Sequence, residues 1–236
     1  MNIAILIAGG SGQRMKQDIP KQFLNVEDKP VIVYTMEAFQ KHPNIDKIIV
    51  VCIEGWNEIL KAYAKQFNIT KLIAIVNGGN CGQESIKNGL MKAKEICEND
   101  DIVLIHDAIR PMVTEEIISD NIAKCTLYGN AITSIPCAEA MLLTEDGTEA
   151  TSQIDRKKLK RTQTPQAFKL SDILSAHEEA EKKGITNSVA SCTLYIELGR
   201  KVYFSAGSEK NIKLTTPDDI EIFKALLKTK KADWMK

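Results

Sequence analysis

The chain has 236 residues, with 31 basic and 31 acidic side chains and no net charge. That length fits one large domain or two small ones and buries roughly three quarters of the unfolded surface. A bulk nucleic-acid or membrane-surface role draws on a basic excess that is missing here, although a local basic pocket remains open.

Residues 3–7 form a short apolar strand that runs into Ala8-Gly9-Gly10-Ser11-Gly12-Gln13-Arg14-Met15, and Pro20-Lys21-Gln22 follows. A glycine turn lets backbone N–H groups approach an anion closely because no Cβ intervenes. Arg14 and Lys21 can reach the same anion, so the pattern predicts a polyphosphate site. It is neither common phosphate loop: Met15 stands where the dinucleotide fingerprint has its third glycine, and no window fits the Walker pattern. Pro30 is expected at the first position of a helix over 30–42. Lys47–Cys52 is a buried strand by its continuous β-branched run, and a helix over 55–67 and a strand over 72–76 follow. The next helix, 82–97, aligns Ile86, Leu90, Ala93 and Cys97 on one face. After a strand over 102–106, Thr114 caps a helix that turns Ile117, Ile118 and Ile122 inward, and residues 131–136 are again a strand. This alternation implies right-handed crossovers and an α/β fold with a single doubly wound, mostly parallel Rossmann-like sheet. Ligands in such sheets bind at the carboxyl ends of the strands.

Residues 138–160 break the rhythm. Met141-Leu142-Leu143 leads to a Glu145-Asp146-Gly147 turn, and Asp-Gly between extended pieces predicts a hairpin, read here as an arm projecting from the sheet. An apolar arm needs a packing partner, and a second copy of the chain is the expected one, giving a homodimer. A helix over 170–183 and a strand over 201–204 come next. Thr216-Pro217-Asp218-Asp219 then combines a cap, an N1 proline and first-turn acids, starting a helix with Ile220, Phe223, Leu226 and Leu227 inward. The basic tail from Lys228 is expected to fray.

Four strand ends are read as carrying polar clusters: Gly9 to Lys21 after the first strand; Asn77-Gly78-Gly79-Asn80-Cys81-Gly82-Gln83-Glu84-Ser85; His106-Asp107-Ala108-Ile109-Arg110-Pro111; and, near the C-terminus, Lys210-Asn211-Ile212-Lys213-Leu214-Thr215. All four are expected to converge on one crevice. The six cysteines form no C-x-x-C pair and the three histidines no H-x-x-x-H spacing, so neither a zinc site nor a redox motif is expected. No apolar run approaches a membrane span, and Met1-Asn2-Ile3 lacks the basic start of a signal peptide, so a cytoplasmic protein without a membrane partner is expected.

With these motifs in place, the chain resembles the cytidylyltransferases that act on polyol phosphates, namely the 2-C-methyl-erythritol 4-phosphate and ribitol-5-phosphate enzymes. The resemblance rests on A-G-G-S-G-Q-R-M, P-K-Q-F-L, G-G-N-C-G-Q-E-S, H-D-A-I-R-P, T-Q-T-P-Q-A-F and N-I-K-L-T-T-P-D-D, in order from residue 8 to 219. It implies a nucleotide-diphospho-sugar transferase type of sheet, CTP as donor with Mg²⁺, a CDP-polyol and pyrophosphate as products, and a homodimer built through the arm. By resemblance, Arg14 and Lys21 are the transition-state cations and Lys213 draws the acceptor phosphate toward the α-phosphorus. The nucleotide cradle comprises Ile7, Ala8, Gly9, Gly10, Ser11, Gly12, Gly79, Asn80, Ser85, Asp107 and Ala108, with Asp107 also the acid near ribose and metal. Arg110, Arg156 and Thr164 bind the acceptor, Arg156 reaching the partner's site from the arm. His106 is read as structural.

The chain departs from the family pattern on the acceptor side. The Asp-Thr that both named enzymes carry on the arm aligns with Glu139-Ala140, and the usual Thr-Asp-Glu-Ala of the isoprenoid enzyme is Asn187-Ser188-Val189-Ala190. Ala140 supplies no hydroxyl, and one hydrogen bond to a charged group is worth roughly 1.5–3 kcal/mol. Ribitol 5-phosphate, destined for a surface polymer, is therefore at least as good an acceptor candidate as methylerythritol phosphate. Two other readings stay open at this point: a sugar-1-phosphate nucleotidyltransferase using another nucleotide, and a nucleotide-binding regulator without turnover.

Overall fold

The structure, a computed structural model, describes residues 1–10 and 19–231. Of the expected site residues, Ser11, Gly12 and Arg14 lie outside the described residues.

The chain runs β1 (Asn2–Ala8), a 3₁₀ turn (Lys21–Phe23), β2 (Asn25–Val26), β3 (Lys29–Pro30), α1 (Val31–Lys41), β4 (Lys47–Cys52), α2 (Asn57–Gln66), β5 (Leu72–Asn77), α3 (Gly82–Lys94), β6 (Ile102–Asp107), α4 (Glu115–Tyr128) and β7 (Asn130–Pro136). It continues through β8 (Met141–Leu143), β9 (Ser152–Ile154), a 3₁₀ turn (Arg156–Lys158), β10 (Lys160–Lys169), α5 (Leu170–Lys182), α6 (Ser191–Glu197), β11 (Phe204–Ala206) and α7 (Pro217–Lys231). Seven strands form one sheet in the order β11-β7-β10-β6-β1-β4-β5. Every pairing is parallel except those of β10, which runs antiparallel to both β6 and β7. The chain leaves β1 toward β4 on one side and returns to β6 on the other, so the carboxyl ends of β1 and β6 flank a topological switch point, where such sheets bind ligands.

The period-two alternation of β1 divides the core. Ala4, Leu6 and Ala8 face α1, α2 and α4 through Ile32, Met36, Phe39, Leu60 and Ile118. Ile3 and Ile5 face α3, α5 and α6 through Leu90, Ala93, Ile173 and Tyr195. Gly89 permits the closest helix approach: a Cβ there would lie 2.6 Å from Ile5 Cγ2 and 2.9 Å from Val51 Cγ2. A third cluster, with Val26, Val31, Ile109, Met112, Leu214 and Phe223, docks α7 beside the end of β6.

Several expectations are corrected. Pro30 is the N-cap of α1, not its first residue, because its extended backbone (ψ 147°) pairs with Asn25 in a two-residue ladder. The strand expected over 201–204 starts only at Phe204. The Asn130 side chain donates to Lys201 O (3.1 Å) and accepts from Tyr203 N (3.0 Å), replacing ladder bonds just upstream. β10 was not anticipated as a strand, since Pro165 and its polar neighbours argue against one. A register irregularity between Thr162 and Gln166 accommodates them. α7 is described to Lys231, the rest of the tail expected to fray lying outside the described residues, and its start is as expected: Thr216 N–H donates to Asp219 Oδ2 (2.8 Å) and Asp219 N–H to Thr216 Oγ1 (3.4 Å). In the arm, β8 and β9 pair antiparallel, with Asp146 accepting from Thr148 N–H and Gly147 at φ 79°. Residues 138–158 are all exposed.

Candidate active site

Three of the four polar clusters sit at the carboxyl ends of β1, β5 and β6, and packing of the segment before α7 adds the fourth. They line one cavity of about 650 Å³ that includes Ile7, Ala8, Gly9, Gly10, Lys21, Gly79, Asn80, Ser85, Asp107, Arg110, Thr164 and Lys213. Ala108 is fully buried behind it, and its N–H is bonded to Ile7 O (3.0 Å). Arg156 is absent from that lining: it lies at the base of the arm, where Nη1 donates to Ala138 O (2.6 Å).

On one side two glycine turns abut. A Cβ on Gly78 would come within 3.1 Å of Gly9 Cα, a tight contact that its absence relieves where these backbones meet. Ser85 Oγ accepts the Gly79 N–H (3.0 Å), and the Glu84 carboxylate accepts both Asn80 N–H (2.8 Å) and the Asn80 amide (3.1 Å). The second turn is thus tied to the first helical turn of α3, and both turns line the cavity.

The other side is cationic. Asp107 Oδ2 accepts from Arg110 Nε (3.0 Å) and Oδ1 from Lys213 Nζ (3.1 Å). Burial would push the Asp107 carboxyl up, but the Lys213 and Arg110 charges outweigh it and hold it below the usual carboxylate range. Arg110 Nη1 also donates to Asn211 O (2.8 Å), and the fully buried Asn211 amide donates to Thr164 O (2.9 Å). Leu214 N–H bonds to Ile109 O (2.9 Å), which pins the Lys213 segment to the end of β6. His106 is fully buried, with Nδ1 3.0 Å from Thr164 Oγ1 and Nε2 3.2 Å from Arg110 O. Burial pushes the ring down to about 4, which keeps it neutral and supports its structural reading.

Sequence reasoning missed Gln22 as a functional residue. Its side chain is 1 % exposed, and Nε2 donates to Ala8 O (2.7 Å) and Gly10 O (3.1 Å). It fastens the turn carrying Lys21 to the mouth of the glycine loop. A polar residue next to the cation inside P-K-Q-F was the available signal. Among the described residues, no group of three or more His, Cys, Asp or Glu could hold a metal, and no helix is long and apolar enough to cross a membrane.

A cavity lined by two glycine turns and the cations Lys21, Arg110 and Lys213 suits a nucleoside triphosphate beside a second anion. Comparison with known proteins agrees. The profile of the family described as IspD, 2-C-methyl-D-erythritol 4-phosphate cytidylyltransferase, matches residues 2–229. A ribitol-5-phosphate cytidylyltransferase from Lacticaseibacillus paracasei is 45% identical over 98% of this chain and 99% of its own length. A 2-C-methyl-D-erythritol 4-phosphate cytidylyltransferase from Clostridium acetobutylicum is 40% identical over 97% and 98%. The crystal structure of a 4-diphosphocytidyl-2C-methyl-D-erythritol synthase from Anaerococcus prevotii superposes with a TM-score of 0.81 at 25% identity, covering 96% of this chain and 98% of that one. The chain therefore belongs to the IspD and ribitol-5-phosphate cytidylyltransferase family and is a cytidylyltransferase.

Proposed function

We propose that the protein transfers CMP from CTP to ribitol 5-phosphate, releasing pyrophosphate and CDP-ribitol. The observation that carries the transfer chemistry is the single cavity in which the two glycine turns meet Lys21, Arg110 and Lys213. A phosphate monoester is largely dianionic at neutral pH and attacks without a general base. Its oxygen bonds to the α-phosphorus of CTP as the bond to the pyrophosphate oxygen breaks. The protein's task is to bring two polyanions together in line and neutralise the charge. The two glycine turns, with Ile7, Ala8, Ser11, Gly12, Asn80, Ser85 and Ala108, cradle the nucleotide. Arg14 and Lys21 stabilise the transferring phosphoryl group. Arg110 and Lys213 hold the acceptor phosphate, and Arg156 of the partner subunit adds to it in a homodimer built through the arm. Asp107 is the one carboxylate among the described residues that line the cavity, and both its oxygens are engaged by cations. Mg²⁺, which would supply charge neutralisation, would therefore be held mainly by phosphate oxygens and water, and Asp107 would join it only by giving up a cation contact.

For the acceptor, two observations favour ribitol 5-phosphate: the 45% identity to a ribitol-5-phosphate relative against 40% to a methylerythritol one, and the replacement of the isoprenoid enzyme's usual Thr-Asp-Glu-Ala at residues 187–190. Pyrophosphate release should be measured with CTP and either ribitol 5-phosphate or methylerythritol 4-phosphate. Ribitol 5-phosphate is expected to give the higher kcat/KM. Preference for methylerythritol 4-phosphate would overturn the acceptor, and turnover only with another nucleotide would overturn the reaction.

A further inference from the structure

Thr164 and His106 are joined to Asp107 in a way that sets their protons. Thr164 Oγ1 accepts the Asp107 N–H (3.0 Å) and lies 3.0 Å from His106 Nδ1, while His106 Nε2 faces Arg110 O at 3.2 Å. A carbonyl only accepts, so Nε2 carries the ring proton, and the neutral ring then presents a bare Nδ1. The Thr164 hydroxyl proton fills it. The ring is sealed from water and packs on Phe39, with centroids 5.0 Å apart, so no solvent competes for that proton. A phosphate dianion recruits donors, and a hydroxyl whose proton is already engaged offers it only a lone pair.

We propose that His106 and Thr164 are a positioning pair for the transfer reaction. Together they fix the backbone of Asp107 and Arg110, and thereby the two cations that Asp107 orients, and Thr164 does not donate to the acceptor phosphate. This replaces the direct acceptor contact expected of Thr164. Two bonds brace the pair at the end of β6: one at the Asp107 N–H and one at the Arg110 carbonyl. Arg110 is consequently held at its carbonyl by His106, at Nε by Asp107 and at Nη1 by Asn211. The acceptor is left to Arg110 and Lys213, whose positive charges line the cavity.

The kinetic consequences rest on the cytidylyl-transfer reading, but the proton arrangement is measurable without turnover. Nitrogen-15 spectra of the free protein should show His106 as the Nε2–H tautomer. The Nδ1 resonance should shift in Thr164→Val and stay in Thr164→Ser. An Nδ1–H tautomer would overturn the pair even if the protein proved inactive with CTP. In steady-state assays, Thr164→Ser is expected to stay near the unmodified rate. Thr164→Val and His106→Leu should each lower kcat/KM for the acceptor roughly 10–100-fold, and by similar factors, because both displace the cations that hold it. The double variant should be no worse than the poorer single one, because both break one unit. A rise in acceptor KM in Thr164→Val that His106→Leu does not share would restore Thr164 to direct binding. Fully active His106 variants, or losses that multiply in the double variant, would also overturn the proposal. If His106→Leu fails to fold, the Thr164 pair of variants and the tautomer decide.

Discussion

Replacing Gln22 tests whether the glycine loop and Lys21 work as one unit. Gln22→Met keeps the side-chain volume close but removes both donors. Ala8 O retains the Ile53 N–H (3.1 Å), and Gly10 is exposed, so water refills its carbonyl. Only the net worth of two neutral hydrogen bonds is lost, about 1–2 kcal/mol in stability. For a chain of this size that lowers Tm by roughly 2–8 °C. The effect on activity should be larger than so small a loss implies, because a displacement of about 1 Å near the reacting atoms costs up to roughly 100-fold. Urea denaturation gives the first quantity and pyrophosphate release against CTP concentration the second, with kcat/KM for CTP expected to fall roughly 10–100-fold. Gln22→Glu sharpens the test. Its carboxylate would face two carbonyl oxygens at a site 1 % exposed, so the folded state would tolerate only the protonated acid. A raised folded-state pKa means this variant regains stability as pH falls. Unchanged kcat/KM for CTP in Gln22→Met would refute the coupling of loop and cation.

Gly89→Ala should destabilise by about 1–2 kcal/mol, since overpacking against the fully buried Ile5 and Val51 outweighs the helical preference of alanine; a raised urea midpoint would refute the close approach of α3. His106 and His177 are both pushed by burial from 6.5 to about 4. Between those values the unfolded chain binds protons that the folded chain refuses, so stability should fall as pH falls through that window. The slope is about 1.4 kcal/mol per pH unit for each histidine, and His177→Gln should remove one of the two contributions in denaturation series. Mixing Arg156→Ala with Lys213→Ala chains should restore turnover if the arm completes the partner's site, and no recovery would make the site self-contained.

The fold was legible where its cause is local. The continuous β-branched run of Lys47–Cys52, the Thr114 cap and the Thr216-Pro217-Asp219 start are decided by neighbours within a turn, and each stands where it was expected. β10 was illegible because its pairing with β6 and β7 overrides a proline and several polar residues. The late start of β11 depends on one side chain, Asn130, reaching across the sheet edge.

The same division runs through the site. The amino-acid sequence by itself determined most of the cavity's inventory: two glycine turns, Lys21, Asp107 and Arg110, in segments that follow strands whose carboxyl ends meet at the switch point of a doubly wound sheet. Those features follow from side-chain chemistry and hydrophobic period, which need no distant partner. Tertiary structure alone decided that Asp107 is saturated by Lys213 and Arg110, that buried Asn211 clamps the last segment to β10, and that Gln22 ties Lys21 to the glycine loop. It also decided that the Thr164 hydroxyl is turned inward to His106. Each of these depends on which hydrogen-bonding group meets which once the segments pack, and polar side chains carry no periodic signal that fixes their partners in advance.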